Sequence, residues 1–240
     1  MLEWLSRRPR IRKPRLPDQA HDFNYLRTEE DIGRFLRAAR ERGENVFALY
    51  ATAVFTGMRA GELAGLQWDD VDLERRLITV QHSYTGPTKA GYVRFVPVLD
   101  PLLPVLRAWR LRCPGPIVFP NRAGKMHGPS ARVFQETLHE VLRAAGFAEV
   151  QRGGKQRSYI SFHGLRHSFA SMWMARGGDL FRLQRIGGWK SYAMVQRYAH
   201  LAPDMFAEDY ARLGTALPTE TATVLSLSSA ISEPHPATRS

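Results

Sequence analysis

The chain has 240 residues, of which 44% are hydrophobic and 24% charged, a composition that excludes a fibrous or disordered protein. The 34 Lys and Arg exceed the 23 Asp and Glu by 11 charges, which favours nucleic acid as a partner, with an anionic membrane second. A single cysteine excludes a disulfide framework and a multi-cysteine zinc site. No apolar stretch reaches the ~18 residues of a membrane span, and no signal peptide is recognisable, so we expect a cytoplasmic protein.

The amino-terminal segment, residues 1–27, is predicted to be a basic arm or linker. Residues 7–15 contain two prolines, which oppose a continuous helix. The same stretch holds six cations that we expect to contact DNA phosphates: Arg7, Arg8, Arg10, Arg12, Lys13 and Arg15.

Helices and a small sheet are predicted next. Thr28 and Asp31 have the spacing of a capping box, so a helix should begin there. A more apolar helix should run from Asn45 to Gly57, with a short one following around Ala60–Leu66. Residues 77–82 and 92–98 alternate in polarity and predict an antiparallel hairpin, to which Leu66–Leu73 adds an edge strand.

The rest of the chain is predicted to be mainly helical. We interpret residues 150–158 as a basic loop, whose Arg152, Lys155 and Arg157 either contact phosphates or are simply solvated. Gly153-Gly154-Lys155 is not a P-loop, because Gln156 follows where Ser or Thr is required. Helices are expected at about 101–112, 130–145, 162–176, 179–186, 191–199 and 203–213. The fold class is therefore α+β, mostly α-helical with a small three-stranded antiparallel sheet, followed by a disordered tail over residues 214–240.

Three segments carry the candidate chemistry, and each has a plain structural interpretation. In Thr56-Gly-Met-Arg-Ala-Gly-Glu-Leu63, Arg59 and Glu62 could be a surface ion pair at i,i+3. In His163-Gly-Leu-Arg-His167, His163 shares a helix face with Arg166, and His167 is expected to be a packed, hydrogen-bonded residue. A zinc site on the two histidines is disfavoured because no third ligand is evident. In Ile186–His200, Trp189 and Tyr198 taken alone would be core aromatics.

Together, in this order and spacing, the three segments resemble the tyrosine recombinase (phage integrase) family over roughly residues 28–213. The resemblance implies a catalytic domain in which Tyr198 is the nucleophile, Arg59 and Arg166 clamp the phosphate and His163 handles a proton. It also implies that Lys89, in a hairpin turn, protonates the leaving oxygen and that Glu62 buttresses the first arginine. Trp189 stands where the family usually has His; its indole N–H can donate a hydrogen bond to an oxygen but cannot transfer a proton.

Cleavage of a phosphodiester by a tyrosine is consistent with these residue types. Two forked guanidinium groups suit the roughly two negative charges of a pentacoordinate phosphorane. A tyrosine with an ordinary pKa near ~10 needs a base or cationic surroundings to attack at neutral pH. A covalent 3′-phosphotyrosyl link conserves the energy of the phosphodiester, so we expect no cofactor, neither metal nor ATP.

The resemblance also leaves alternatives open. Family members usually carry a further amino-terminal DNA-binding domain, of which residues 1–27 look like the last trace. The resemblance implies a site-specific recombinase that acts on double-stranded DNA and self-associates as a tetramer on DNA, alone or beside a full-length recombinase. A type IB topoisomerase and a catalytically silent DNA-binding module are the rival functions, and a membrane-surface protein is disfavoured because no helix has a basic amphipathic stripe. Residues 203–213 are expected either to pack on their own domain or to dock on a neighbouring protomer.

Overall fold

A computed structural model of the protein describes residues 24–83, 86–87, 93–127, 132–152, 155–158 and 160–203. For 86–87, 132–133, 150–152 and 155–158 the description is of the backbone. All described residues except the last belong to one unit, which ends at Ala202. The predicted helix over 203–213 and the tail over 214–240 lie outside the described residues, as does the arm before residue 24.

The first two helices form as predicted. Helix α1 spans Glu29–Arg42, and its Thr28 hydroxyl accepts a hydrogen bond from the Asp31 backbone N–H at 3.0 Å, one half of the capping box. Helix α2 spans Glu44–Thr56 and ends where Gly57 turns left-handed at φ 63°. From Phe47 onward every residue of α2 except Phe55 is buried, because the helix packs against α1 and against later helices. Helix α2 is therefore the central helix of the core.

The predicted three-stranded antiparallel sheet is confirmed. It consists of β1 (Val71–Asp72), β2 (Leu77–Val80) and β5 (Arg94–Pro97), in the order β1-β2-β5. Ile78 pairs with Val96 and Val80 with Arg94, so these residues share the buried face of the sheet. A second, separate antiparallel pair, β3 (His82–Ser83) and β4 (Gly86–Pro87), lies in the connection between β2 and β5.

The prediction of a basic loop over residues 150–158 is wrong, because the backbone forms a hairpin there. Strands β6 (Glu149–Arg152) and β7 (Lys155–Ser158) pair antiparallel, with Arg152 opposite Lys155. The sequence between them is Gly-Gly, which is typical of a two-residue hairpin turn. The strands themselves are polar and lack the apolar alternation that reveals most strands, so composition alone indicated a loop.

Four of the helices predicted after residue 100 form with small changes of boundary. A short helix, α3 (Ala60–Ala64), precedes the sheet, and the later helices are α4 (Leu103–Arg112), α5 (Arg132–Ala144), α6 (Phe162–Ala175), α7 (Leu180–Gly187) and α8 (Ala193–Gln196). The helix expected over 191–199 is much shorter, because tight i→i−3 hydrogen bonds such as Tyr198 N–H to Val195 C=O replace the α-helical pattern. A single 3₁₀ turn, Ala199–Leu201, follows.

The core has two parts. The larger surrounds α2 and includes the buried face of the sheet. The smaller packs Phe169 of α6 and Leu183 of α7 against Trp189, Val195 and Tyr198. This second cluster holds the carboxyl-terminal aromatic residues against the helix that carries the second predicted motif. In the described ranges, no helix is long and apolar enough to cross a membrane.

Candidate active site

Arg59 lies at the start of α3, directly after α2 has ended. Its guanidinium Nη1 donates to Glu62 Oε1 at 2.9 Å, and its backbone N–H donates to Glu62 Oε2 at 2.8 Å. Nη2 donates to the Gly188 carbonyl at 2.9 Å. The predicted i,i+3 pair is thus confirmed, but it is not a simple surface pair. The Arg59 side chain is 40% exposed, whereas the carboxylate of Glu62 is only 4% exposed.

Among the residues that the structure describes, Arg166 on α6 is the largest fully buried side chain, at 1% exposure. Its Nη1 donates to the Gly57 carbonyl at 2.7 Å, which joins the first and second motifs. Its Nε and Nη2 are buried and have no hydrogen-bond partner among the described residues. Because unpaired buried donors are costly, these two nitrogens are able to donate to an anion brought within reach.

The charge of Arg166 persists in this environment. Burial, with the neighbouring Arg59, lowers the pKa of Arg166 to about 9, so the guanidinium is protonated at neutral pH. The guanidinium lies 3.7 Å from the centre of the Trp189 ring, a cation–π contact. Trp189 therefore supports Arg166 with the face of its ring, a contact that the sequence did not predict.

The two histidines of α6 differ in exposure. His163 is exposed and meets the His167 ring edge-on, with centroids 4.9 Å apart. Partial burial of its ring, then the charges of Arg166, Arg59 and Arg197, lowers the pKa of His163 although much of the residue is exposed. His167 is buried, as predicted, and burial followed by the proximity of His163 lowers its pKa to about 3. Both rings are consequently neutral at pH 7. In the part of the chain that the structure describes, no three potential ligands form a metal site.

Tyr198 lies between α8 and the 3₁₀ turn, with 4% of the residue exposed. Its hydroxyl forms a short hydrogen bond with Nδ1 of His167, and its ring packs edge-on against Trp189 at 6.1 Å. Burial raises the pKa of Tyr198 to about 12, against the opposing charges of Arg197 and Arg166. The phenol is thus protonated, and with the neutral imidazole in the tautomer that carries its proton on Nε2, the phenol donates to Nδ1.

Other predicted site residues are not placed. Lys89 and the six cations of residues 7–15 lie outside the described residues. Arg152, Lys155 and Arg157 are on the β6–β7 hairpin, where the backbone alone is described. The structure brings together Arg59, Glu62, His163, Arg166, Trp189 and Tyr198 through the contacts given above.

Sequence reasoning missed Arg94, which faces the core from β5. Its Nη1 and Nη2 donate to the two oxygens of Glu62 at 2.9 and 2.6 Å, and its Nε donates to the Ile186 carbonyl at 2.9 Å. The signal was available in the strand pattern. An arginine two residues before Val96 occupies the buried face, while Phe95 between them is exposed. Such a charge on the buried face needs a partner, and Glu62 is that partner.

The comparisons with known proteins give a consistent result. The model of the phage integrase family matches residues 27–205. A tyrosine recombinase XerC from Xylella fastidiosa (strain M23) is 31% identical over 185 residues, which cover 77% of this chain and 54% of that protein. The chain thus spans about half the length of the curated relatives that it matches first.

Two solved structures have the same fold. The integrase of transposon Tn1549, in complex with transposon right end DNA, aligns with a TM-score of 0.63 at 18% identity, covering 84% of this chain and 68% of that one. The catalytic domain of the bacteriophage HP1 integrase aligns with a TM-score of 0.54 at 25% identity. That alignment covers 80% of this chain and 95% of the HP1 domain.

Proposed function

Because the chain belongs to the phage integrase family, we propose that it breaks and rejoins double-stranded DNA by site-specific recombination. The observation that carries the proposal is Arg166, a buried cation with two N–H groups unpaired among the described residues, in the same cluster as Tyr198. A phosphodiester is an anion with two non-bridging oxygens and would satisfy such donors. The XerC relative and the DNA-bound Tn1549 integrase support DNA as the substrate.

In the proposed reaction, Tyr198 attacks the phosphorus atom and the 5′-oxygen leaves, so a 3′-phosphotyrosyl bond replaces one P–O bond. Arg59 and Arg166 neutralise the charge that develops on the non-bridging oxygens. His163 is exposed beside Arg166 and takes up the phenolic proton, while Lys89 delivers a proton to the leaving oxygen. The step requires no metal or ATP, because the covalent link conserves the energy of the phosphodiester.

The hydrogen bond from Tyr198 to His167 defines a resting state of the nucleophile. While the phenol donates to Nδ1, its oxygen is protonated and its single hydrogen-bond donor is used. For His163 to take up the phenolic proton, as proposed above, the hydroxyl must leave His167 and meet the phosphate. Tyr198 follows a four-residue helix and precedes a single 3₁₀ turn, and these short elements resist a small rotation less than a long helix would.

We also propose that residues 28–213 are the catalytic domain, preceded by a basic linker over residues 1–27. The 95% coverage of the HP1 catalytic domain supports this assignment. Assembly as a tetramer on DNA, with or without a longer recombinase, belongs to the same proposal. A catalytically silent binding module is the second candidate, and a type IB topoisomerase the third.

Trapping of a covalent adduct tests the proposal. Nicked duplexes of randomised sequence, which lose the leaving strand after cleavage, are incubated with the full chain. Wild type and Tyr192→Phe, a matched change at an exposed tyrosine six residues earlier, are expected to form protein–DNA adducts; Tyr198→Phe is not. An adduct that persists in Tyr198→Phe would contradict the assignment of the nucleophile.

Two other results would favour the rival functions. DNA binding with no adduct from wild type would indicate the binding module. Relaxation of supercoiled DNA without sequence preference would indicate the topoisomerase.

A further inference from the structure

A buried ion pair lies directly behind the phosphate site. Arg94 and Glu62 each expose 4% of their side chains, and two parallel hydrogen bonds of 2.9 and 2.6 Å join them. Arg94 is on β5 opposite Val80, where an apolar side chain would complete the sheet's buried face. A buried ion pair contributes little net stability relative to an apolar pair of equal volume, because both charges must be desolvated. Stability alone is therefore a weak explanation for Arg94.

Glu62 is shared between two arginines. Its carboxylate accepts from Nη1 and Nη2 of Arg94, and from Nη1 and the backbone N–H of Arg59. One negative charge thus faces two guanidinium groups, which leaves one positive charge in excess. Arg94 is fully buried whereas Arg59 is 40% exposed, so the excess charge is available on Arg59. Without Arg94, the same carboxylate would compensate Arg59 alone.

Arg94 also contacts the turn that carries Trp189. Its Nε donates to the Ile186 carbonyl at 2.9 Å. Gly188 packs so closely on it that a Cβ atom there would lie 2.9 Å from Arg94 Cδ. The Gly188 carbonyl in turn accepts from Nη2 of Arg59. A single buried side chain therefore connects β5, the first arginine and the turn before Trp189.

We propose that Arg94 is a positioning residue of the phosphate site, which balances the charge of Glu62 so that Arg59 keeps its own charge for the phosphate. It also fixes the Gly187-Gly188 turn against which Arg59 is oriented. This inference rests on the proposed function, because it assigns Arg94 a role in the same reaction. This role differs from a purely structural one in a testable way. If Arg94 acts by balancing the charge of Glu62, removing that charge should restore part of the cleavage rate that is lost with Arg94.

The first experiment measures the rate of adduct formation in single turnover at saturating DNA, at a temperature where circular dichroism shows every variant folded. Arg94→Met is expected to slow cleavage by about 100-fold, the order expected when a catalytic group is misplaced by about 1 Å. The double variant Arg94→Met/Glu62→Gln should cleave at least tenfold faster than Arg94→Met. Arg76→Met, which removes an exposed arginine pairing with Asp100 beside the same sheet, is the control and should retain the wild-type rate.

The outcomes separate the explanations. Arg94→Met within threefold of wild type, or a double variant no faster than Arg94→Met, would overturn the inference. If Arg94→Met does not fold, Arg94→Lys answers the same question, because a lysine keeps the charge but cannot donate to Glu62 and Ile186 together. It should be about tenfold slower than wild type, and a wild-type rate would overturn the inference.

A second measurement does not depend on catalysis. In a crystal structure of Arg94→Met, or of Arg94→Lys if the first variant does not fold, the Arg59 guanidinium should turn onto both Glu62 oxygens and leave the Gly188 carbonyl. An unchanged Arg59–Gly188 hydrogen bond near 2.9 Å would contradict the inference, even if wild type formed no adduct. A missing adduct from wild type with the expected turn of Arg59 would instead reject the proposed function and leave the charge-balancing effect of Arg94 on Arg59 and Glu62 in place.

Discussion

His167 couples the stability of the fold to pH through a buried imidazole. Its pKa is lowered from 6.5 to about 3, with burial as the main cause. Between these two values the unfolded chain binds a proton that the folded chain does not, so acidification favours unfolding. The slope is at most about 1.4 kcal/mol per pH unit for one proton, and the stability concerned is fully present above about pH 6.5.

We therefore expect His167→Gln to reduce the loss of stability on acidification. Urea unfolding at pH 7.5 and pH 5 measures the difference for each protein. His82→Gln, a change at an exposed histidine on β3, is the control and should keep the wild-type difference. If the free energy of unfolding of His167→Gln falls between pH 7.5 and pH 5 as much as that of wild type, other groups are responsible.

The residues of the site were largely predictable, whereas their contacts were not. The three motifs identified Arg59, His163, Arg166, Trp189 and Tyr198, because each motif is local in sequence. The bond from Tyr198 to His167 joins residues 31 positions apart, and the pair of Arg94 with Glu62 joins residues 32 apart. Contacts of this kind depend on how elements pack, which no local pattern records.

At the scale of elements, the junction between α2 and α6 depends on Gly57. The residue has φ 63°, and a Cβ atom there would lie 2.5 Å from the Phe169 ring of α6, the helix that carries Arg166. Gly124 has a similar φ of 72° but open space around its Cα. Both glycines therefore have a left-handed backbone that disfavours a side chain, but of the two it is Gly57 whose side chain would also collide with a neighbour.

Gly57→Ala should destabilise the fold by more than Gly124→Ala does. The left-handed backbone costs a residue with a side chain about 1–2 kcal/mol at either position. At Gly57 the displacement of Phe169 adds a further cost of about 1–3 kcal/mol. Urea unfolding of the two variants gives the difference, and equal losses would show that Phe169 moves aside freely.

The errors in predicting elements have physical causes. The hairpin β6–β7 is polar, and its formation rests on backbone pairing around Gly153-Gly154 more than on an apolar face. The helix expected over 191–199 shortened to four residues because its apolar side chains, Val195 and Tyr198, meet the second core cluster through tight turns. In both places tertiary packing or turn chemistry outweighed the periodicity of the sequence.

At the scale of the whole molecule, the net charge of +11 predicts DNA binding that weakens steeply with salt. Each phosphate contact contributes about 0.9 to the slope of log K against log salt. Replacing the six cations of residues 7–15 with Gln should therefore reduce the slope by up to about 5. Fluorescence anisotropy of a labelled duplex at several salt concentrations measures it, and an unchanged slope would show that the arm does not contact DNA.

The basic hairpin provides an internal comparison for the same measurement. Gln at Arg152, Lys155 and Arg157 should reduce the slope by up to about 3 if all three contact phosphates. No change would favour the solvated interpretation of these side chains. The two sets of variants thus assign the charge-dependent part of the affinity to separate regions of the chain.

By itself, the sequence determined the class of fold, the order of its main helices and sheet strands, and the identities of the residues proposed for chemistry. These features depend on periodicity, on capping and turn residues, and on short motifs, all of which act over a few neighbouring positions. Only the tertiary structure decided that Arg94 is buried against Glu62, that Arg166 has two N–H groups unpaired among the described residues, and that Tyr198 rests on His167. Burial and charge balance depend on which elements meet in space, and residues distant in sequence determine them together.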